Sequence, residues 1–261
     1  MSIQRSALII AAAQGIGLAT AKRMAASGYS LTLMDINGAK LEHEAELLRE
    51  AGTRVETVVG DALDSDTLRG AVERTTGAFG RLDALACIAG GSGGIPMHQV
   101  DEIPPEQWMK VLLLNINSVY LACHHAVPVM RDQKYGRICC LSSTVAKGRL
   151  GPIGTMGARL PYATAKAGLI GFVKQLSKDV GIHGITANAV LPWLTIGEPG
   201  TTVRETFLKL PQDYKDKTLA MSPQGRPIEA EGVAAAIAFL LSEEAGYVSG
   251  VELPVDGGVL N

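Results

Sequence analysis

The 261-residue chain is 47% hydrophobic and 19% charged, which is typical of a compact globular protein and unlike a disordered one. Its net charge of -2 lacks the basic excess that nucleic-acid or anionic-membrane binding favours, so a small-molecule ligand is the better expectation. No apolar run reaches the ~18 residues of a membrane span, and the first one is too short for a secretory signal, so we expect a cytoplasmic protein.

Short β-rich apolar runs alternate with amphipathic segments, which is the pattern of repeated βα units. The predicted strands, in chain order, are ALII, SLTLMD, RVETVV, LDALACI, RICCLSS, GITANAV and VELPV. Intervening segments such as GLATAKRMAASG carry apolar residues at helical spacing and end in glycine. This order predicts one α/β domain over residues 1–261. Its fold would be a Rossmann-type doubly wound parallel sheet of about seven strands with helices on both faces.

One segment interrupts this rhythm, because no strand is predicted from Trp193 to about Leu219. The segment contains glycines and prolines, and loops of this length are usually functional. We therefore predict a substrate lid at about 193–219, and this range is called the lid segment below.

The four cysteines lie in apolar contexts without C-x-x-C spacing. This favours reduced, buried thiols over disulfides or a zinc site, so no metal site is predicted. The residues are Cys87, Cys123, Cys139 and Cys140.

The run AAAQGIG follows the first predicted strand and has the form of a phosphate-binding loop. A pyrophosphate at a helix N-terminus needs backbone N–H donors with nothing bulky beside them, which explains the use of glycine. Ala11 takes the place of the first glycine, and its methyl group is tolerable only if Ala11 keeps a negative φ. The loop residues assigned to cofactor binding are Gln14, Gly15, Ile16 and Gly17.

Asp35 ends the second predicted strand, at the spacing where an acidic side chain accepts hydrogen bonds from the adenosine ribose. A carboxylate there would repel a 2′-phosphate, and Gln14 offers no cation to hold one. NAD is therefore preferred over NADP, although Asp35 could also be a solvated strand end.

The stretch PYATAKAGLIGF places Tyr162 and Lys166 four residues apart, on one face of a predicted helix. An ammonium near a phenol favours the phenolate, so we expect the pKa of Tyr162 to fall towards neutrality. This would make Tyr162 a usable acid/base. Alone, the pair could equally be a helix surface pair.

Taken with other motifs in the same order, this sequence resembles the short-chain dehydrogenase/reductase family over essentially its whole length. AAAQGIG is similar to the family's T-G-x-x-x-G-I-G, GDALD to its adenine-contacting segment, and CIAG to its N-N-A-G. Further matches are WMKVLLLNINSVY, ICCLSST, YATAK, NAVLP and VSGVELPVDGG.

The resemblance implies a catalytic role for four residues. Tyr162 would exchange a proton with the substrate oxygen, and Lys166 would bind the nicotinamide ribose and lower the pKa of the tyrosine. Ser143, chosen over Ser142, would donate a hydrogen bond to that oxygen. Asn115 would hold a water that links Lys166 to solvent.

The resemblance also extends the predicted binding sites, and it implies a homotetramer. The further cofactor-binding residues are Asp61, Ala62, Ala89, Gly90, Pro192 and Thr195, together with Tyr162 and Lys166. Ser143 and Tyr162 would also bind substrate. Independently of the resemblance, Trp193 and the inserted segment before Tyr162 favour a partly apolar substrate pocket or, equally, packing against a neighbouring subunit.

The sequence departs from the family pattern at several positions. Ala11 replaces a glycine, Trp193 replaces the glycine of a P-G pair, and Gly197 replaces a threonine whose carboxamide contact Thr195 would take over. The interval before Tyr162 is longer than usual, which predicts an inserted loop at about 144–161 on the substrate side.

These features favour an NAD-dependent oxidoreductase that interconverts a secondary alcohol, cyclic or hydrophobic, and its ketone. The alternatives are a 3-oxoacyl-(acyl-carrier-protein) reductase-like NADPH-dependent ketoreductase and a pseudoenzyme that only binds. Dehalogenase relatives of the family carry a Ser-Tyr-Arg set at the catalytic positions, and Lys166 argues against dehalogenation here.

Overall fold

The computed structural model describes residues 3–93, 99–148 and 159–260. All seven predicted strands are present, and two short strands join them. The strands are β1 (Ser6–Ile10), β2 (Ser30–Asp35), β3 (Val55–Val59), β4 (Ala84–Cys87), β5 (Gly136–Leu141), β6 (Ile185–Pro192), β7 (Thr195–Ile196), β8 (Ile228–Glu229) and β9 (Glu252–Val255). Seven of them form one parallel sheet in the order β3-β2-β1-β4-β5-β6-β9.

Helices connect the strands and cover both faces of the sheet. They are α1 (Gly15–Ala26), α2 (Gly38–Glu50), α3 (Ser65–Phe79), α4 (Pro105–Leu112), α5 (Ser118–Asp132), α6 (Arg159–Val180), α7 (Thr202–Lys209), α8 (Gln212–Leu219) and α9 (Ala230–Leu241). A π-helical turn (Leu113–Asn117) joins α4 to α5, and short 3-10 turns lie at Val100–Glu102, Thr144–Lys147 and Gly181–His183. No helix in the described part of the chain is long and apolar enough to cross a bilayer.

The core lies on both faces of the sheet because successive strand residues point to opposite sides. Leu8 packs in the cluster that includes residues of α3, α5 and α6. Its neighbours Ala7 and Ile9 pack in the cluster that includes residues of α1, α2 and α9. The doubly wound parallel sheet expected from the sequence is therefore confirmed, and it brings the carboxyl ends of its strands to one edge.

Two expectations about loops need correction. The prediction of no strand in the lid segment was wrong, because Thr195–Ile196 pairs in parallel with Ile228–Glu229; α7 and α8 form most of the rest. The insertion at 144–161 is not all loop, since it begins with a 3-10 turn and α6 starts at Arg159. Its residues 149–158 lie outside the described part of the chain.

The turn between β1 and α1 has a backbone conformation that the sequence did not predict. Ala11 has φ +65°, so the negative φ set as the condition for tolerating its methyl group is not found. The cause is the close approach of α1, because a Cβ on Gly17 would lie 1.8 Å from the Ala11 carbonyl oxygen. Ala12 N–H also donates to the Met34 carbonyl at 3.0 Å, which ties the turn to β2.

This strain predicts that Ala11→Gly stabilises the protein. An L-residue in the left-handed region costs about 1–2 kcal/mol, so we expect the free energy of unfolding to rise by about 1 kcal/mol. Urea unfolding of the cofactor-free protein measures the change.

The neighbouring Ala12→Gly is the matched control. Ala12 is fully buried and has no positive φ, so the same substitution should destabilise the protein by about 1 kcal/mol. Equal losses in both variants would show that Ala11 carries no strain.

Candidate active site

The predicted catalytic residues meet at the carboxyl edge of the sheet. Ser143 lies two residues past the end of β5, and Tyr162 and Lys166 lie one turn apart on α6. The Ser143 hydroxyl hydrogen-bonds the Tyr162 hydroxyl. Tyr162 also packs against the small apolar cluster of Ile103 and Val111, as does Trp108 of α4. The structure thus brings the two hydroxyls expected to contact substrate side by side.

Lys166 is almost fully buried, and its ammonium lies behind the tyrosine ring. Nζ donates to the Leu141 carbonyl at 2.6 Å and lies 5.5 Å from the centroid of the Tyr162 ring. Ser142 Oγ donates to the Lys166 carbonyl at 2.7 Å. Of the two adjacent serines, Ser142 therefore links β5 to α6, whereas Ser143 contacts Tyr162.

The acid/base properties differ from the expectation. Burial raises the pKa of Tyr162 to about 12, although the hydrogen bond with Ser143 lowers it in part. Burial also lowers the pKa of Lys166 to about 8. The expected fall in the pKa of the tyrosine was wrong for this arrangement, because burial outweighs the hydrogen bond with Ser143 and the ammonium of Lys166 is held by the Leu141 carbonyl.

Asn115 sits in the π-helical turn, fully buried, with its amide turned towards the loop after β4. Nδ2 donates to the carbonyls of Gly91 and Val111, each at 2.8 Å, and Oδ1 accepts from Gly91 N–H at 3.1 Å. Gly90 is needed at this point, because a Cβ there would lie 2.5 Å from Asn115 Oδ1 and 3.0 Å from Lys166 Nζ. The side chains of Asn115 and Lys166 therefore both lie close to the backbone of the loop after β4, at Gly90.

The glycine loop presents a backbone donor at the start of α1. Gly15 N–H points at the carboxylate of Glu198, at 3.0 Å from Oε2 and 3.3 Å from Oε1. Lys40 Nζ lies 3.1 Å from Glu198 Oε1 and 3.3 Å from Gln14 Oε1. Ile16 instead packs against α9. A carboxylate is an anion, so the N–H at the start of α1 is directed to a position where an anion can bind.

Asp35 lies beside this loop. Oδ2 accepts from Ala13 N–H and Oδ1 from Asn37 N–H, each at 2.9 Å, so the carboxylate is held in place by the backbone. In the turn after β3, Asp61 Oδ1 accepts from Leu63 N–H at 2.9 Å, and Ala62 packs against the core. Ala89, after β4, also packs against that core.

The end of β6 carries the remaining predicted residues. Pro192 ends the strand, and Trp193 is 5% exposed. The indole Nε1 of Trp193 is buried and finds no hydrogen-bond partner among the described residues. Thr195 Oγ1 donates to the Trp193 carbonyl at 3.1 Å.

The four cysteines are free and buried, as expected. Three of them, Cys87, Cys123 and Cys140, have sulfur atoms within 4.8 Å of one another in the core below the site. Hydrogen bonding and burial raise the pKa of Cys87 and Cys123. Both residues are therefore neutral thiols at neutral pH, as suits an apolar core.

Sequence reasoning missed Lys40 and Glu198. Neither belongs to a motif, and Glu198 lies 183 positions from Gly15, so the contact arises only from the folded chain. Lys40 also supplies a cation beside Gln14, where the sequence had indicated none.

The doubly wound sheet, with a hydroxyl pair above a buried ammonium, is characteristic of Rossmann-type oxidoreductases. The family profile described as Enoyl-(Acyl carrier protein) reductase matches residues 10–260. The chain belongs to the short-chain dehydrogenase/reductase family and is an oxidoreductase of that family.

Curated relatives cover nearly the whole chain. Levodione reductase of Leifsonia aquatica is 30% identical over 97% of this chain and 93% of its own length. Cis-4-hydroxycyclohexanecarboxylate dehydrogenase of Sinomonas cyclohexanicum is 34% identical over 98% and 96%. The 3-oxoacyl-(acyl-carrier-protein) reductase FabG of Escherichia coli (strain K12) is 32% identical over 97% and 96%.

Solved structures confirm the fold. The crystal structure of levodione reductase matches with a TM-score of 0.88 at 30% identity, over 97% of this chain and 96% of that chain. YwfH, titled an NADPH dependent reductase involved in bacilysin biosynthesis, matches with a TM-score of 0.87 at 27% identity, over 98% of each chain.

The buried Lys166 predicts a pH-dependent effect on stability. Its pKa is about 8 in the fold against 10.5 ordinarily, so folding disfavours the charged form and wild-type stability is lost as pH falls through this window. Lys166→Met removes that loss. We expect the stability advantage of the variant over wild type to shrink by about 2 kcal/mol between pH 7 and pH 9.5.

Urea unfolding at both pH values gives the difference, which cancels effects of the substitution that do not depend on pH. Lys178→Met, an exposed lysine on the same helix, is the control and should show no such change. If the free energy of unfolding of Lys166→Met differs from that of wild type by the same amount at both pH values, the lowered pKa of Lys166 is contradicted.

Proposed function

We propose that the protein is an NAD(H)-dependent oxidoreductase that interconverts a secondary alcohol and its ketone. The observation that carries this proposal is the hydrogen-bonded pair of Ser143 and Tyr162 beside the buried ammonium of Lys166. When bound, the nicotinamide accepts or supplies the hydride. The chain must then bind the substrate oxygen and move its proton.

Tyr162 is the residue that exchanges this proton. Its raised pKa keeps the phenol protonated, so it can donate to a ketone oxygen; in the oxidative direction the phenolate must be stabilised. Lys166 is the cation available for that purpose, with Nζ 5.5 Å from the ring centroid. Ser143 donates a hydrogen bond to the same substrate oxygen. Asn115, bound to the Gly91 backbone, orders water near Lys166.

The residues at the α1 end of the site fit a dinucleotide. Gly15 N–H already binds a carboxylate, and Gly17 lets α1 begin directly against the Ala11 carbonyl, where a Cβ would clash with it. The backbone-held carboxylate of Asp35 favours ribose hydroxyls over a 2′-phosphate, which supports NAD as the preferred cofactor. NADPH use is the alternative, supported by Lys40 and by the NADPH-dependent YwfH.

A cyclic or hydrophobic secondary alcohol is the proposed substrate. The relative from Sinomonas cyclohexanicum is named for a hydroxylated cyclohexane ring. Trp108, which packs against the same small apolar cluster as Tyr162, provides an aromatic surface, and Trp193 offers a buried donor without a described partner. Reduction of an acyl-carrier-protein substrate is the second candidate, favoured by the FabG relative. The homotetramer stays a prediction.

Tyr162→Phe tests the acid/base assignment. Removal of a positioned general acid costs about 10²–10⁴-fold in turnover, whereas NADH affinity should stay within about twofold because the other residues assigned to the dinucleotide are unchanged. The assay follows NADH formation with cyclohexanol and cis-4-hydroxycyclohexanecarboxylate, and nicotinamide fluorescence gives the affinity. Tyr247→Phe, a fully exposed tyrosine, should retain wild-type turnover. Full activity in Tyr162→Phe would refute the assignment.

Asp35→Ser tests the cofactor preference. Loss of a charged acceptor for the ribose should weaken NADH binding about tenfold, and NADPH binding should weaken less because repulsion of the 2′-phosphate is also lost. The measured quantity is the ratio of the two dissociation constants. Asp66→Ser, at an exposed aspartate on α3, should leave the ratio unchanged. If Asp35→Ser also leaves it unchanged, Asp35 does not select the cofactor.

A further inference from the structure

The lid segment places a carboxylate of the chain at the phosphate end of the site. Both oxygens of Glu198 face Gly15 N–H, and Lys40 Nζ lies 3.1 Å from Oε1. Gly15 is the first residue of α1, where unpaired N–H groups and the helix dipole favour an anion. Glu198 therefore occupies the position that a dinucleotide pyrophosphate would take.

The backbone around Glu198 is shaped for this contact. A Cβ on Gly197 would lie 3.0 Å from Gly15 Cα and 3.1 Å from Thr201 Cγ2, so a larger side chain does not fit there. Thr201 Oγ1 donates to the Glu198 carbonyl at 2.8 Å, and Arg204 donates to the Gly197 carbonyl at 3.1 Å. These bonds fix the turn to α7, so the carboxylate and the lid segment move together.

We propose that Glu198 is an internal latch, which closes the phosphate subsite in the cofactor-free protein and is displaced when the dinucleotide binds. Gly15 N–H and Lys40 then pass from the carboxylate to the phosphate oxygens. This inference rests on the proposed function, since it requires that the N-terminus of α1 take a dinucleotide.

The latch is ionised and is weak enough to be displaced. Burial raises the pKa of Glu198, but hydrogen bonds from its own backbone N–H, from Lys40 and from Gly15 N–H together outweigh it and hold the pKa below its ordinary value. The side chains of Lys40 and Glu198 are 31% and 35% exposed, so solvent screens the ion pair. A closed state favoured by such contacts weakens the apparent cofactor affinity about three- to tenfold.

Removal of the latch should therefore tighten cofactor binding. The full-length variants Glu198→Gln and Glu198→Ala are titrated with NADH, followed by nicotinamide fluorescence. We expect the dissociation constant to fall about three- to tenfold, with the larger fall in Glu198→Ala, because glutamine can still accept one hydrogen bond. Glu205→Gln removes the same charge from the same segment, where Glu205 contacts Gly200 N–H, and should change the affinity little.

Hydrogen exchange of the Gly15 amide in the cofactor-free protein separates a latch from simple charge repulsion. Exchange should be faster in Glu198→Ala than in wild type. Tighter NADH binding in Glu198→Ala without faster exchange at Gly15 would overturn the latch. If wild type binds NADH, an equal affinity in Glu198→Ala would also overturn it.

If wild type binds neither NADH nor NADPH, the proposed function and the latch both fail. Exchange at Gly15 then still shows whether Glu198 contacts the loop.

Discussion

The burial of a single ammonium group, that of Lys166, is the constraint on which the site depends. A buried charge costs several kcal/mol unless polar groups compensate it, and the Leu141 carbonyl at the end of β5 does so only in part, since burial still lowers the pKa of Lys166 to about 8. Ser142 fixes the backbone of α6 at the same residue, and Gly90 gives the ammonium room. Strand, helix and loop are thus positioned around one nitrogen atom.

A second cation lies at the mouth of the site, and it also has its own acceptor. Lys40 is paired with Glu198, while Lys166 is paired with a backbone carbonyl. Both of these positive charges therefore already have an acceptor within the described chain. Under the proposed function, binding of a dinucleotide would be an exchange of partners, in which the cofactor replaces existing hydrogen bonds instead of neutralising bare charges. Affinity then depends on differences between similar contacts, which small changes in the loops can adjust.

The sequence predicted the sheet well because each strand is a short apolar run. It also predicted the pairing of Tyr162 with Lys166, because helical spacing puts both residues on one face. It failed where tertiary packing decides. The conformation of Ala11 depends on how closely α1 approaches it, and the pKa of Tyr162 on where the lysine nitrogen ends. Helical spacing specifies a shared face but not a hydrogen-bond partner. Glu198 could not be found, since its contact joins segments far apart in the chain.

The π-helical turn at Leu113–Asn117 makes the site sensitive to insertions and deletions. A π turn holds one residue more than an α turn, so it offsets the faces of α4 and α5 by about 100°. Loss of one residue would restore a continuous α-helix and rotate Val111, whose cluster packs against Tyr162, relative to the core face of α5. Homologues that tolerate length changes in loops should therefore keep the number of residues from α4 to α5, although this segment is helical throughout.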